Sequence, residues 1–421
     1  MTTLKRSLGL PALILYGLGT ILGAGIYSVL GAAAGRVGEG VWLSFVISAL
    51  VALITALSYA ELATTYPKAG AEYFYLRRAL PRVRWAPFTA GIMMAASAAA
   101  TAATVAIAFG GYLGTFVRAP ELLLSAALLV ALTAVGLREV RESTGVTALF
   151  TLIEAAGLAL VIAVGATAEG FGEALAAKPT LAVLGGSSLV FFSYLGFENI
   201  ANLAEETKDP GRNLPRAILL SLLIATALYV LVALAVVALL PPAEAARSHA
   251  PLADAVARGA PRLAGALGGI ALFATANTAL AAILAGSRIL YGISSGHDLP
   301  KPLRKVLPSH KTPWVATLVI VGIAAALLPL GSVATVASMS SFASLVAFSG
   351  VNTALLVHRY RDPGRTAPFR VPFTVGRIAL LPLVGLISNA ILITQLERTA
   401  VMGGTVALAV VVSLYIAFGK R

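Results

Sequence analysis

The sequence predicts an all-α membrane protein with about 12 transmembrane helices, on three observations. Of its 421 residues, 58% are hydrophobic and only 12% are charged, whereas a soluble domain carries about a quarter charged residues. The mean hydropathy is +0.90. Twelve spans of roughly 20 residues need about 240 apolar positions, and this composition supplies about that many. Little sequence is left for a soluble domain, a catalytic head or a nucleic-acid-binding module.

Twelve apolar runs follow one another along the chain, separated by charged or Pro- and Gly-rich breaks. Each run is long enough to cross about 30 Å of hydrocarbon as a helix. A spanning segment must satisfy its own backbone, and the period-2 alternation of a barrel is absent. The predicted spans are residues 10–34, 40–63, 86–116, 121–137, 144–167, 186–204, 215–240, 263–294, 314–330, 333–358, 376–396 and 400–418.

Lysine and arginine are divided unequally between the two sides of this arrangement. The termini and five alternate loops hold 24 of the 31, and the other side holds seven. Positive residues favour the cytoplasmic side, so we expect a multi-pass protein of the cytoplasmic membrane with both termini in the cytoplasm. The longest outward connection, 241–262, is predicted to form an external cap. The five basic loops are residues 64–84, 138–143, 205–216, 288–313 and 359–377.

The sequence shows no catalytic or metal-binding constellation. Cysteine is absent, which excludes disulfides and thiolate metal sites, and the four histidines lack metal-ligand spacing. Neither G-x-S-x-G nor a paired-carboxylate arrangement occurs. We therefore expect neither an enzyme nor a bound cofactor or metal, and the basic charge gives no reason to expect a nucleic-acid partner.

The first span contains the stretch GTILGAGIY, residues 19–27, with glycines in the middle of what should be continuous helix. Glycine disfavours a helix by about 1 kcal/mol relative to alanine, so Gly23 and Gly25 mark a place where the helix opens. Close helix packing is the alternative, because Gly19 and Gly23 form a GxxxG pair. A nucleotide-binding loop fits poorly, since the spacing is not G-x-G-x-x-G and no strand precedes it.

The sixth span contains FFSYLGFENIANLAEETKDPGRNLPRAI, residues 191–218, in which Gly196 and the acidic Glu198 interrupt an apolar run. Paired interruptions at corresponding positions of two halves indicate a transporter site at the bilayer midplane. An opened helix offers free NH groups to an anion and free carbonyls to a cation. This chemistry suits a zwitterion that carries both groups on one carbon, such as an amino acid.

Four motifs in this order resemble the amino acid-polyamine-organocation (APC) superfamily, which includes amino acid permeases. The resemblance implies a LeuT-like fold, with a 5+5 inverted-repeat core in which helices 1 and 6 are interrupted. The motifs are specific for the superfamily and weak for the substrate. They are GAGIY at 23–27, TYPKAGAEYFYLRRAL at 65–80, the stretch at 191–218 and SRILYGISSGHDLP at 287–300.

The same resemblance implies the organisation of the chain and the way in which a substrate is held. Residues 1–170 would form the first repeat, residues 171–360 the second, and residues 361–421 two peripheral helices. The backbone NH groups of Ala24 and Gly25 would bind the substrate carboxylate. Its ammonium group would be bound by the carbonyls of Ile21, Phe192, Ser193 and Leu195.

The resemblance also implies that Phe197 is an aromatic gate over the bound side chain, with lipid or core packing as the alternative. Glu198, which follows the break, would receive a substrate amine, tie the broken helix to its neighbours or sense protonation. Tyr16, Thr20 and the small residues of the third span suggest a cavity wall close to the backbone.

Glu154 lies near the middle of the fifth span, where an ionised side chain costs roughly 3 kcal/mol. Many members of the superfamily carry a lysine at the matching position, so the sign of the charge is reversed here. Glu154 would bind and release a proton or attract a cation, unless it is permanently protonated and bonded to an opened helix end. In the eighth span, Thr275, Asn277 and Thr278 would line the cavity or supply oxygens to a cation, with local hydrogen bonding as the alternative.

The sequence thus predicts a secondary active transporter that moves L-amino acids into the cell by alternating access. Proton coupling through Glu154 is the expected energy source, with H⁺ preferred over Na⁺. An amino acid exchanger and a polyamine or organic-cation transporter are the alternatives within this class. A channel or an amino acid-binding receptor fits less well, because the chain shows neither a charged pore nor a signalling domain. The expected partners are a small amino acid and membrane lipid, and the oligomeric state is left open.

Overall fold

The structure, a computed structural model, describes residues 6–67, 71–137, 144–307, 312–362, 364 and 367–418. The predicted inner loop 138–143, residues 68–70 of the motif at 65–80, and both chain ends lie outside the described residues. The described chain is helical apart from its connecting segments and one short hairpin.

Up to residue 175, the described chain forms eight α-helices and one 3-10 helix. Only two residues separate the first two helices, and this interruption is one of the two that shape the site described below. In order the helices are α1 (Leu10–Leu22), α2 (Gly25–Val37), the 3-10 helix Gly38–Gly40, α3 (Val41–Thr65), α4 (Ala71–Ala79), α5 (Trp85–Gly114), α6 (Glu121–Gly136), α7 (Thr144–Gly165) and α8 (Phe171–Leu175).

The second half of the described chain begins with another interrupted helix and contains the hairpin, in which Thr374 pairs with Ala379 across two antiparallel strands. Its first elements are α9 (Ala182–Val190), the 3-10 helix Phe191–Tyr194, α10 (Asn199–Asn202), α11 (Pro210–Leu239), α12 (Pro242–Ala245), α13 (Pro251–Gly259) and α14 (Pro261–Ser295). The remaining elements are the 3-10 helix Lys301–Arg304, α15 (Trp314–Leu327), the 3-10 helix Leu328–Leu330, α16 (Val333–Arg361), β1 (Thr374–Val375), β2 (Ile378–Ala379), α17 (Leu380–Gln395) and α18 (Arg398–Phe418).

Each of the twelve predicted spans contains helix in the structure, although the span 376–396 begins in the hairpin and becomes helical only at Leu380. In the described residues, six stretches are long and apolar enough to cross a membrane by themselves. The all-α membrane class is therefore confirmed, whereas the count of twelve spans and the inverted repeat remain predictions. The six stretches are Gly25–Thr65, Trp85–Gly114, Gly145–Gly165, Pro210–Leu239, Pro261–Ser295 and Val333–Arg361.

Local sequence signals explain where several helices begin. Pro210, Pro251 and Pro261 stand in the first turns of α11, α13 and α14. Proline has no NH group to leave unpaired at a helix start, and its φ is already helical. At the start of α16, the NH group of Thr335 donates to the side-chain oxygen of Ser332 (3.2 Å), which caps the helix.

Helix α5 packs against α14 and α16, and small side chains allow this close approach. A Cβ added to Gly286 of α14 would lie only 3.0 Å from the Cβ of Ala98 in α5. Towards α16, the Ser97 hydroxyl lies 2.6 Å from the Ser344 hydroxyl and 2.9 Å from that of Ser340. Helices α5 and α14 thereby form a wall beside the two interrupted helices.

The proline-rich segment 241–262 forms α12 and α13, which pack against α2. Two glycines of α2 permit this contact. A Cβ at Gly31 would lie 2.4 Å from the main-chain oxygen of Ala245, and a Cβ at Gly35 would lie 2.4 Å from the Cβ of Ala246. The segment predicted to be a cap therefore lies directly against the second half of the first span.

Candidate functional site

The first span is broken at Gly23. Helix α1 ends at Leu22, Gly23 has φ −40° and ψ −160°, and α2 begins at Gly25. The NH group of Ala24 does not continue the helix and instead donates to the hydroxyl oxygen of Thr278 in α14 (2.9 Å). A Cβ at Gly23 would lie 2.3 Å from this same oxygen. Glycine at this position thus leaves room for the Thr278 hydroxyl of α14.

The sixth span is broken at Gly196. Helix α9 continues as the 3-10 helix Phe191–Tyr194, Leu195 is extended, and Gly196 has a φ of +124°. A residue with a side chain rarely adopts this φ. A short helical segment, α10, resumes at Asn199. The break predicted from Gly196 is therefore present, with the conformation that glycine alone adopts easily.

The two breaks lie against each other. A Cβ at Gly25 would lie 2.6 Å from the Cα of Ser193, and a Cβ at Gly196 would lie 2.3 Å from the main-chain oxygen of Thr20. The Thr20 hydroxyl is 3.1 Å from the carbonyl oxygen of Gly196, to which it donates. Main-chain groups that leave regular helical bonding in the first and sixth spans are thus brought to one place.

Tyr229 of α11 joins these breaks, although nothing in the sequence singles it out. Its hydroxyl lies 2.5 Å from the carbonyl oxygen of Ile21 and 3.0 Å from that of Ser193. Each carbonyl belongs to a different broken helix, so one hydroxyl is shared between both. The only sequence signal for Tyr229 is a polar atom in a long apolar span.

A cavity of about 770 Å³ lies beside the breaks, between α1, α4, α5, α7, α10 and α14. It reaches the surface at Arg288 and Gly292 of α14, which are both exposed. Glu206 lies on the same wall, and its carbonyl accepts from the NH group of Ser7 (2.9 Å). The opening is therefore at the side where the amino-terminal segment packs. The predicted site residues that line the cavity are Thr20, Leu195, Gly196, Glu198, Asn277 and Thr278.

The other residues predicted to bind the substrate or a cation are buried, and among the described residues they do not line the cavity. Phe197 packs edge-on against Tyr59, with ring centroids 5.7 Å apart, and in a tilted arrangement against Phe348, with ring centroids 5.3 Å apart. Its predicted role as a gate stays a prediction. The hydroxyl of Thr275 donates to the Ala271 carbonyl of its own helix (2.8 Å), as in the local alternative. The buried main-chain ligands are Ile21, Gly23, Ala24, Gly25, Phe192 and Ser193.

Glu154 is fully buried in α7. One carboxyl oxygen accepts from the side-chain amide of Asn277 (3.1 Å), and the other has no hydrogen-bond partner among the described residues. The Tyr27 hydroxyl donates to the main-chain oxygen of Glu154 (3.2 Å), which links this residue to α2. Within the described ranges, no three His, Asp or Glu side chains are grouped for a metal ion.

Two acidic side chains with exposed fractions of only 6% line the cavity. Glu198 accepts from the NH group of Gly196 (2.9 Å), so it caps the break within its own span, and its three predicted roles stay predictions. Glu72 of α4 accepts from the Tyr59 hydroxyl (2.6 Å). Burial raises the pKa of Glu72 above its ordinary value, while the hydrogen bond from Tyr59 acts in the opposite direction.

Neither acid forms a salt bridge with a Lys, Arg or His side chain among the described residues. Sequence reasoning missed Glu72, because it lies in the segment 64–84, which was predicted as a cytoplasmic loop. A signal was nevertheless present, since the residue lies inside the motif at 65–80.

The sequence is similar to those of several known transport proteins. The sequence matches the amino acid permease family over residues 8–417. An uncharacterized transporter of Mycobacterium tuberculosis is 35% identical over 425 residues, which cover 98% of this chain and 91% of the relative. The branched-chain amino acid permease of Bacillus subtilis is 27% identical, with 100% and 94% covered. The methylthioribose transporter of Bacillus subtilis is 30% identical, with 92% and 87% covered.

Proposed function

Because this chain belongs to the amino acid permease family, a family of membrane transporters and not of enzymes, we propose that it imports L-amino acids by alternating access. The observation that carries the proposal is the contact between the two helix breaks, at Gly23 and Gly196. Each break frees main-chain NH and carbonyl groups, and the helix ends carry opposite partial charges. A zwitterion matches both charges at once. The branched-chain amino acid permease among the relatives supports this class of substrate.

The proposal includes the arrangement of the chain. Residues 1–170 and 171–360 form two inverted repeats and residues 361–421 are peripheral. The position of each break in the first span of its half supports this division. Twelve spans in the cytoplasmic membrane, with both termini in the cytoplasm, are supported by the 24 to 7 division of Lys and Arg.

Within the site, the NH groups of Ala24 and Gly25 bind the substrate carboxylate. In support, the NH group of Ala24 already donates to an oxygen, the hydroxyl of Thr278. A carboxylate oxygen is a stronger acceptor than a hydroxyl, so the substrate displaces Thr278 from this NH group. The carbonyls of Ile21, Phe192, Ser193 and Leu195 bind the substrate ammonium. The Phe197 ring leaves its contact with Tyr59 and closes over the side chain of the bound substrate.

Proton coupling through Glu154 is the energy source in this proposal. Its carboxyl group is buried, and one oxygen has no partner among the described residues. An ionised carboxylate in such surroundings is costly unless it is compensated, and a proton compensates it. The amide of Asn277 transmits the change to α14, because it binds the anion more strongly than the neutral acid.

The test is uptake into proteoliposomes with and without an inward proton gradient. We expect uptake by the parent protein to rise with the gradient, and Glu154→Gln to lose this dependence while it retains exchange. Glu173→Gln changes an exposed acid in α8 and serves as the matched control, with an unchanged gradient response. A gradient response that survives in Glu154→Gln removes Glu154 from the mechanism. Uptake that needs substrate inside the liposome, with no gradient response, identifies an exchanger instead.

The substrate is identified by thermal unfolding in the presence of each of the twenty amino acids and of methylthioribose, because a ligand stabilises the folded state by mass action. A shift with amino acids alone supports the proposal. A shift with methylthioribose alone overturns the amino acid part of it, since that compound has no ammonium and no carboxylate.

A second candidate is a transporter of cationic amino acids or polyamines. The observation that favours it is the pair of buried acids on the cavity wall, Glu72 and Glu198, which have no basic partner among the described residues. A substrate with a positively charged side chain would compensate them.

Uptake of lysine and of leucine, measured separately, distinguishes the two candidates. If the protein transports cationic substrates, we expect Glu72→Gln to reduce lysine uptake and to leave leucine uptake unchanged. Equal effects on both amino acids contradict a cationic side-chain site at Glu72. Leucine uptake with no lysine uptake by the parent protein excludes the second candidate altogether.

A further inference from the structure

The Tyr229 hydroxyl lies between two carbonyl oxygens that belong to different broken helices. Ile21 is the last residue but one of α1, and Ser193 lies in the 3-10 helix that ends α9. The hydroxyl is 2.5 Å from the first carbonyl and 3.0 Å from the second. A tyrosine hydroxyl has one proton to donate, so the two carbonyls share it.

The position of this hydroxyl is fixed by the packing of the tyrosine ring. Tyr229 is fully buried in α11, and its ring lies 5.6 Å from that of Phe45 and 5.4 Å from that of Tyr194, centroid to centroid. Tyr194 is itself held by donation to the carbonyl of Phe45 (2.9 Å). A third helix, α11, therefore sets where both carbonyls lie.

The shared donor leaves both carbonyls with acceptor capacity, because a carbonyl oxygen has two lone pairs and each uses one here. Two carbonyls at a fixed separation form a preorganised site for a group with several donors, and a primary ammonium has three. Preorganisation raises affinity because the acceptors need not be ordered when the ligand binds.

We propose that Tyr229 is a positioning residue, whose hydroxyl sets the separation of the Ile21 and Ser193 carbonyls for the ammonium group of the substrate. The inference rests on the proposed function, since it assigns the ammonium to these carbonyls. It adds a residue outside both broken helices, and it links the geometry of one break to that of the other through α11.

The test compares ligands that differ only in the amino group. The probes are the twenty L-amino acids and, for the tightest binder, the carboxylic acid that lacks only its amino group. Tyr229→Phe keeps the ring and removes the hydroxyl. We expect its affinity for the amino acid to fall about tenfold, the size of one net hydrogen bond, with little change for the acid that lacks the amino group.

Tyr112→Phe is the matched control. Tyr112 is also fully buried, and its hydroxyl donates to the main-chain oxygen of Tyr27 (3.2 Å), away from the shared carbonyls. This variant loses a comparable hydrogen bond and should bind the amino acid as the parent does. Should Tyr229→Phe fail to fold, Phe45→Leu keeps the hydroxyl but loosens the ring, and a smaller loss of the same selective kind is expected.

Each outcome decides between the inference and the function on which it rests. A parent protein that binds none of the twenty amino acids overturns both. A parent that binds an amino acid, with Tyr229→Phe losing thermal stability but no affinity, overturns the inference alone and leaves Tyr229 as a structural donor. An equal loss of affinity for both probes also overturns it, because the effect is then not directed at the ammonium.

Discussion

Gly196 combines a backbone φ of +124° with a close contact to the first span. A Cβ at this position would lie 2.3 Å from the main-chain oxygen of Thr20. We expect Gly196→Ala to lower the free energy of unfolding by about 2 kcal/mol or more and to abolish uptake, because one of the two breaks must move. Thermal unfolding in detergent and uptake into proteoliposomes measure the two effects.

Gly185 in α9 provides the control for this substitution. A Cβ there meets no atom within 4 Å, so Gly185→Ala should raise the free energy of unfolding by up to about 1 kcal/mol through helix propensity and retain uptake. If Gly196→Ala matched Gly185→Ala in both measurements, the contact between the breaks would not depend on the missing side chain.

Glu72 makes the stability of the protein depend on pH. Burial raises the pKa of its carboxyl above the ordinary value of 4.5 in the folded protein. Between 4.5 and the raised pKa, the folded state keeps the proton and the unfolded state loses it, so stability falls as the pH rises through this window. Glu72→Gln cannot ionise at this position, so it lacks this loss of stability. We expect the thermal midpoint of Glu72→Gln minus that of the parent to increase from acidic to neutral pH.

The exposed Glu173 is the control for this series, and Glu173→Gln measures the effect of removing one surface acid. A constant difference between Glu72→Gln and the parent would show that the Glu72 carboxyl titrates alike in the folded and unfolded states. Because the comparison is between variants at each pH, the titration of other groups cancels.

At the scale of single residues, the sequence predicted what depends on backbone chemistry close along the chain. Gly23 is recognisable because a cluster of glycines opposes a helix wherever it occurs, and Gly196 because, with Glu198, it interrupts an apolar run. Glu72 and Tyr229 were not recognisable, because their roles come from partners on other elements. The Ile21 carbonyl of the first span, to which the Tyr229 hydroxyl donates, lies 208 residues away along the chain.

Among the helices, α3 and α16 are joined by a buried ion pair between Glu61 and Arg359, whose side chains are 3% and 4% exposed. The guanidinium donates to both carboxyl oxygens of Glu61 and to the carbonyl of Val371 (2.9 Å). The NH group of Val371 in turn donates to Glu61 (2.6 Å). The pair therefore also anchors the segment that leads into β1.

Removal of one partner leaves the other charge buried without compensation. We expect Glu61→Gln to lower the free energy of unfolding by about 3–5 kcal/mol, and a double replacement of Glu61 and Arg359 by methionine to be less harmful than either single change. Chemical unfolding in detergent measures both. Arg258→Met breaks a pair with Glu244 whose arginine is 47% exposed, and should change stability by about 1 kcal/mol or less. Equal effects at the two sites would contradict the role of burial.

The sequence predicted the positions of the helices well and their interruptions in part. Hydropathy predicted the helix boundaries to within a few residues, because a helix that crosses the hydrocarbon core must be apolar along its length. The span at 186–204 breaks at Gly196 as predicted, but the sequence did not indicate that the helix first tightens into a 3-10 helix before Leu195. The ion pair of Glu61 was not predicted, since hydropathy cannot identify the helix that faces a given acid.

For the whole molecule, the sequence indicated a membrane transporter but not which side of it is open. The cavity opens beside Arg288, near the end of α14, while α12 and α13 precede the start of that helix. Since α14 has 35 residues, it is about 50 Å long. The open and packed ends of the molecule are thus far apart, and a transporter that works by alternating access must exchange them.

A bulky side chain placed between α2 and α12, at the packed end, should therefore close the cavity at its open end beside Arg288. A leucine at Gly31 meets the main-chain oxygen of Ala245, which a Cβ alone would approach to 2.4 Å, and forces α2 away from α12. The chain has no cysteine, so single cysteines report access to a water-soluble thiol reagent. The reagent should react slowly with Ala245→Cys and rapidly with Arg288→Cys. With Gly31→Leu added, we expect the reaction rate at position 245 to rise and the rate at position 288 to fall.

Gly114→Leu is the control. A Cβ at Gly114 meets no atom within 4 Å, so this substitution should change neither rate. A faster reaction at position 245 with no change at 288 would mean that the packed end opens locally, without the coupling between ends that transport requires.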